Sequence, residues 1–211
     1  LYRPQQGTVR LAGVEVTHLP PHRLAAAGLA RTFQNLQVFF RMTAAENVMV
    51  GRHLHERTGL LADLLALPAV ARQNRATRAR AMELLTFVGL AERAQAPAGG
   101  LPYGALKRLE IARALAQEPK LLLLDEPAAG CNAVETEELD RLIQAIARLG
   151  TGVVLVEHDM KLVMKISDQV VVLDHGRKLT EGPPEMVRRD PAVIEAYLGR
   201  DAAKEVAGAD A

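Results

Sequence analysis

The chain of 211 residues has no tryptophan, a single cysteine, and aromatic residues at only 3%. So few rings leave no stacking platform for single-stranded nucleic acid. Cys131 has no second cysteine to pair with, which excludes an intramolecular disulfide and a multi-cysteine zinc site. A reducing compartment is its natural setting. No apolar run approaches the ~18–20 residues of a membrane span, and the most apolar long stretch, residues 60–71, is interrupted by Asp63 and Pro68. No basic-then-apolar leader opens the chain. Neither sign of charge dominates: 26 Lys and Arg face 25 Asp and Glu, for a formal charge of +1. That near-balance supplies no general attraction for nucleic acid or an anionic lipid surface. The first residue is Leu rather than Met, and the expectation is that the true N-terminus lies upstream.

What is present is ordinary for a folded protein. Hydrophobic residues make up 49% and charged residues 24%, which argues against disorder. The length allows one domain, or one domain with a subdomain. Short β-branched or leucine-rich runs alternate with helical patterns. Residues 8–11 read as a strand followed by a turn at Gly13, residues 21–27 as a short helix, and residues 29–33 as a strand. Thr43, with Glu46 three residues on, reads as a capping box opening a helix to residue 50. Residues 60–88 read as helical throughout, with Ala76, Ala79, Met82, Leu85 and Val88 on one face. A Pro/Gly/Ala loop at 95–100 precedes a helix over 103–117. The leucine run 121–124 reads as a strand buried on both faces. A helix over 134–149, a strand over 152–156 and a helix over 160–166 follow. Residues 170–173 and 178–180 flank His175-Gly176, a hairpin signal. Short helices over 184–188 and 191–198 precede a small, charged, frayed tail. This alternation specifies a mainly parallel sheet with helices on its faces. Residues 40–100 hold no convincing strand and read as an inserted helical subdomain.

The sharpest feature is Leu121-Leu122-Leu123-Leu124-Asp125-Glu126-Pro127. Ligands of open α/β sheets gather at the carboxyl ends of strands, which is where these two acids emerge. Asp125 can hold Mg²⁺ beside a phosphate, and Glu126 can orient or deprotonate an attacking water. Pro127 keeps Glu126 out of the right-handed helical region. The plainer alternative is a buried strand ending in solvated acids. His158, two residues past the apolar run 153–156, can donate a hydrogen bond to a phosphate oxygen; the alternative is a polar surface residue. Gln34 follows the strand at 29–33, and its amide can meet Mg²⁺ and a water, or simply solvent. Tyr103 and Gly104 open a helix whose free N–H groups can receive an anion, with Gly104 permitting close approach; the alternative is a bare loop-to-helix junction. Arg72, Arg75, Arg78 and Arg80 read as a solvated helix face.

Taken in order, these segments resemble the ATP-binding subunit of ABC transporters, and within it the subgroup serving branched-chain amino acid importers. Arg31-Thr32-Phe33-Gln34 resembles the Q-loop. Residues 101–105 and 108–113 stand where the signature motif belongs, residues 121–127 resemble Walker B with its catalytic Glu, residues 128–132 occupy the D-loop region and residues 157–160 the H-loop. Residues 193–199 are similar to the subgroup's C-terminal tail. The resemblance implies a P-loop NTPase-like α/β fold, incomplete at the N-terminus, in four parts: residues 1–39 as core sheet up to the Q-loop, 40–117 as the helical subdomain with the signature helix, 118–182 as core with Walker B, D-loop and H-loop, and 183–211 as a helical tail. It implies ATP and Mg²⁺ as ligands, with Gln34 and Asp125 at the metal, Glu126 activating water, and His158 touching the γ-phosphate. Tyr103, Gly104 and Asn132 would face nucleotide across a head-to-tail dimer with a second ATP-binding subunit. It further implies transmembrane permease partners, no nucleic acid, and a place at the cytoplasmic face of the membrane.

The chain departs from the pattern in three places. The phosphate loop Gly-x-x-x-x-Gly-Lys-Ser/Thr is nowhere in it, and is expected before Leu1. The signature's usual Ser is Pro102 and its usual Gln is Ala105. Cys131 and Ala133 replace a Leu and a Pro common around the D-loop. A degenerate, non-hydrolysing subunit serving only as an interaction partner is therefore the alternative reading. The chain by itself is expected to turn over negligible ATP.

Overall fold

The computed structural model describes residues 4–55 and 68–198. The first part of the helix expected over 60–88, and the C-terminal residues from Gly199 on, for which fraying was expected, lie outside them. The chain forms two compact units that divide between Val156 and Glu157, and each is described by itself.

The first unit opens on a small antiparallel hairpin of β1 (Arg10–Leu11) and β2 (Val14–Glu15). Ala12 and Gly13 between them both have positive φ, 48° and 81°, the geometry of the tight hairpin turn that matches strand twist. The turn lies where the sequence places it; β2 has too few residues to show alternation. Helix α1 (Pro21–Ala27) starts on Pro, whose fixed φ suits a first helical position, and ends at Gly28 with φ 102°. Directly after it, β3 (Leu29–Arg31) enters a parallel sheet.

That sheet has the order β3, β4 (Leu121–Asp125), β5 (Gly152–Val156), all parallel, with Leu29 beside Leu121 and Leu121 beside Gly152. Register puts Ala30, Leu122 and Val153 on one face. Ala30, Leu122 and Leu124 are buried there, while Leu121 and Leu123 on the other face are half-buried and Val154 and Val156 exposed. The leucine run is thus not sealed on both faces as its composition suggested. Apolar composition records a tolerance for burial, and here only alternate positions meet a packing partner.

Between β3 and β4 lies the helical insert. Helix α2 (Ala44–Gly51) begins on the expected capping box. Thr43 Oγ1 accepts from the Glu46 N–H at 3.2 Å, and Glu46 Oε2 accepts from the Thr43 N–H at 2.8 Å. That N–H, and the Thr43 hydroxyl donating to the same oxygen at 2.9 Å, hold the Glu46 carboxyl below its usual pKa. Helix α3 (Pro68–Phe87) buries Thr77, Ala81, Leu84 and Leu85, and Val88 just beyond it. Of the expected stripe Leu85 and Val88 are buried and Met82 half-buried, but Ala76 and Ala79 are exposed. A spacing of three drifts off a 3.6-residue helix, and alanines carry little hydrophobic weight to hold the phase.

Helix α4 (Tyr103–Leu115) is buried on nearly every side. It meets α2 closely, since Gly51 lies against the Arg113 carbonyl and Ala116. Helix α5 (Ala133–Arg148) buries Leu139, Leu142, Ile143 and Ile146, an i, i+3, i+4, i+7 stripe. Its capping box is Asn132 with Glu135.

The second unit contains α6 (Met160–Ile166), the antiparallel pair β6 (Val170–Asp174) and β7 (Arg177–Gly182), α7 (Pro184–Val187) and α8 (Pro191–Leu198). The expected turn sits at His175 and Gly176, with φ 43° and 76°. Val170, Val187 and Val193 form the core of this unit, with Met160, Val163, Met164 and Val172 packed on it.

Candidate functional site

Parallel pairing of β3 and β4 delivers the segments that follow both strands to the same rim of the sheet. At that rim Arg31 donates from Nη2 to Asp125 Oδ2 at 2.7 Å. Gln34 donates from Nε2 to Glu126 Oε2 at 3.2 Å. Three of the expected residues, Gln34, Asp125 and Glu126, are therefore brought together across more than ninety positions of sequence. Arg31 joins them unannounced. Its guanidinium also lies 5.2 Å over the Phe33 ring, a cation–π contact. Both members of the Arg31–Asp125 pair keep solvent access, at 43% and 29%, so the pair is worth about 0–1 kcal/mol and can be displaced.

Glu126 has φ 44°. Glu126 is out of the right-handed region, as expected before a proline, but it lies in the left-handed region and not in the extended one that a following proline favours, which costs a non-glycine residue roughly 1–2 kcal/mol. The main chain is held there because the Glu126 N–H donates to the Val156 carbonyl at 2.9 Å and Pro127 is buried. Strain of this kind gathers where a side chain must be aimed.

The start of α4 is joined to the start of α5. Pro102 takes the N-cap position of α4 and offers no side-chain cap. The Gly104 N–H instead donates to Glu135 Oε1 at 3.3 Å, while Glu135 Oε2 accepts from the Asn132 N–H at 3.0 Å. A side chain at Gly104 would place Cβ 2.5 Å from Glu135 Oε1, so the missing Cβ makes room for this carboxylate. Asn132 Oδ1 is committed to the Val134 and Glu135 N–H groups, each at 3.0 Å. Tyr103 lies against Gly130, where a Cβ would come within 3.0 Å of its ring, and the Lys107 ammonium sits 5.6 Å over that ring.

His158 belongs to the second unit. It is exposed in the loop after β5, next to Asp159, which caps α6 by accepting from the Lys161 and Leu162 N–H groups at 2.9 and 3.3 Å.

The sequence reading did not single out Glu135, although its place three residues after Asn132 is a capping-box signal. For Arg31 no such signal exists. An arginine at the end of a short strand says nothing about a carboxylate 94 residues away.

Sequence and structure comparisons agree on where these features belong. Residues 1–129 match the family described as ABC transporter, and residues 177–203 match that described as branched-chain amino acid ATP-binding cassette transporter. The high-affinity branched-chain amino acid transport ATP-binding protein BraF of Pseudomonas aeruginosa is 47% identical over 94% of this chain and 78% of its own length. The corresponding LivG protein of Escherichia coli is 44% identical with the same coverage. Among solved structures, a nucleotide-free ATP-binding cassette from an ABC transporter superposes with a TM-score of 0.77 at 27% identity, covering 94% of this chain and 79% of the other. The ADP conformation of MJ1267, an ATP-binding cassette of an ABC transporter, gives 0.77 at 28% identity, covering 93% and 78%. A three-stranded parallel rim that gathers Gln34, Asp125 and Glu126, and relatives matched along almost the whole sequence, lead to one assignment: the chain belongs to the ABC transporter ATP-binding family.

Proposed function

We propose that this subunit binds Mg²⁺-ATP at the carboxyl rim of β3 and β4 and uses its hydrolysis to drive branched-chain amino acid import through a membrane permease. The observation that carries the reading is the meeting of Gln34 with Glu126 beside Asp125. Its substrate class rests on relatives named as branched-chain amino acid transport ATP-binding proteins.

Oxygen donors from one or two side chains, completed by phosphate oxygens, are what Mg²⁺ favours. The Asp125 carboxylate and the Gln34 amide carbonyl fit that requirement. Bound there, the ion would neutralise charge on the phosphates. Asp125 must first leave Arg31, a weak half-exposed pair, so nucleotide arrival and release of Arg31 are linked. Glu126 acts as general base toward the attacking water, and Gln34 holds the carboxylate by its amide N–H. His158 donates to a γ-phosphate oxygen. Tyr103, Gly104 and Asn132 serve nucleotide held by a second subunit, for which Glu135 gives up the Gly104 N–H. The 211 residues contain no Gly-x-x-x-x-Gly-Lys-Ser/Thr sequence, so none of the groups assigned here is a phosphate-loop amide or lysine.

The four-part division at residues 39, 117 and 182 gives each segment a task in this scheme. Among the described residues no helix is long and apolar enough to cross a membrane, and contact with the membrane runs through the permease at the cytoplasmic face. Phe39, Phe40 and Met42 are exposed beside the segment that carries Gln34, a docking surface for the permease.

The test is uptake of labelled leucine, isoleucine and valine in cells lacking this gene. Uptake is expected to fall at least tenfold, to return with the wild-type gene, and not to return with a Glu126→Gln copy. Full uptake in the deletion strain would overturn the substrate assignment. A second reading, a non-hydrolysing partner subunit, is favoured by Pro102, which leaves α4 without a side-chain cap. Rescue of uptake by the Glu126→Gln copy would support that reading instead.

A further inference from the structure

Residues 34–39 connect β3 to the helical insert without regular structure. Their backbone groups therefore need partners from elsewhere. Two of them, the Gln34 carbonyl and the Gln37 N–H, find theirs on α4. Lys107, Glu110 and Arg113 are spaced by three, so each is a helix-surface neighbour of the next. The Lys107 ammonium donates to the Gln34 carbonyl at 3.5 Å. Glu110 Oε1 accepts from the Gln37 N–H at 3.3 Å. The Arg113 guanidinium lies 5.6 Å over the Phe39 ring and 3.9 Å from Glu110 Oε1. On the far side, Asn47 accepts from the Phe39 N–H at 2.9 Å and donates to its carbonyl at 3.0 Å.

Lys107 and Glu110 are each only 3% exposed, and such residues are almost never buried unless paired. Burial pushes the Glu110 carboxyl above its usual pKa, opposed by the Gln37 N–H, Arg113, the Phe33 N–H and Lys107. A leucine would fill the same volume without that cost, but it could not accept a hydrogen bond from Gln37.

We infer that Glu110 is a positioning residue: with Lys107 and Arg113 a turn to either side, its buried carboxylate clamps the backbone of residues 34–39 to α4 and so fixes where Gln34 stands against Glu126. Helix α4 starts at Tyr103, beside the junction with Glu135. A shift of α4 along its axis is thereby passed to Gln34 at one end of the segment and to Phe39 at the other. The inference rests on the proposed function only for what Gln34 does once placed.

The test compares wild type, Glu110→Leu and Glu110→Gln in the full chain, by amide hydrogen exchange and then by ATP turnover in the assembled transporter. Exchange at Gln37 and its neighbours is expected to rise at least tenfold in Glu110→Leu, with β4 and α5 unchanged, and to return close to wild type in Glu110→Gln, whose amide oxygen still accepts from Gln37. In turnover, kcat is expected to fall at least fivefold in Glu110→Leu with KM for ATP held, and to recover in Glu110→Gln. An equal rise in exchange across β4, α5 and residues 34–39 would overturn the inference by making Glu110 a general core residue. No change at Gln37 would overturn it by showing that no clamp exists. Wild-type transporter with no ATP turnover would refute the proposed function and leave the exchange result to decide the clamp.

Discussion

Glu126→Gln is expected to lower Mg²⁺-ATP turnover of the assembled transporter by about 10²–10⁴-fold, the usual worth of a positioned general base. The isosteric amide keeps the size of the side chain and can still meet Gln34, but it cannot take a proton from water. KM for ATP should change little, because Glu126 is assigned to the water and not to the nucleotide. The geometry makes Glu126 hard to replace by a neighbour. Its φ of 44°, the bond from its N–H to Val156 and the buried Pro127 direct this one residue to the rim. Asp125 precedes it but points its carboxylate at Arg31. Steady-state phosphate release measures the effect. Turnover within fivefold of wild type would remove Glu126 as the base and favour the non-hydrolysing reading.

The largest structural effect is expected at Gly51. It occupies the last turn of α2 where that helix touches α4. A Cβ there would run into the Arg113 carbonyl oxygen and lie 2.9 Å from the Ala116 Cβ. The main obstacle is backbone, which cannot rotate aside as a side chain could. Gly51→Ala must therefore push α2 and α4 apart, despite alanine's better helix propensity, at a cost of about 1–3 kcal/mol. For a chain of this size that corresponds to roughly 2–4 °C in Tm per kcal/mol. Thermal unfolding followed by circular dichroism reads it directly. An unchanged or raised Tm would mean that the two helices are less tightly apposed than described. The variant also loosens the support of residues 34–39, since Asn47 of α2 and Glu110 of α4 hold that segment from two sides.

Much of this molecule was legible from local chemistry. Thr43 with Glu46, and His175 with Gly176, are short-range patterns whose partners lie within a few residues, and each forms its cap or turn. Leu121 to Pro127 announced both the strand and the acids that leave it. The failures share a physical cause. Alanine-rich spacing on α3 could not set the phase of its buried face, because alanine gains little from burial on either side. The half-open face of β4 depended on what packs against it, which composition does not encode. Arg31, Lys107 and Glu110 act through contacts 73 to 94 residues away in sequence, and a charge read in isolation looks like solvated surface. Burial of Lys107 and Glu110 inside α4 is what reveals their work, and burial is a tertiary fact. Gly104 was legible as a position needing closeness, but the group that comes close is the Glu135 carboxylate.

The most direct measurement of the central claim is a structure of the assembled transporter holding Mg²⁺ and a non-hydrolysable ATP analogue. The expected result is Asp125 released from Arg31, the cation in contact with Asp125 and Gln34, and Glu126 and His158 facing the terminal phosphate. A nucleotide bound away from that rim, with Arg31 still closed on Asp125, would contradict the account.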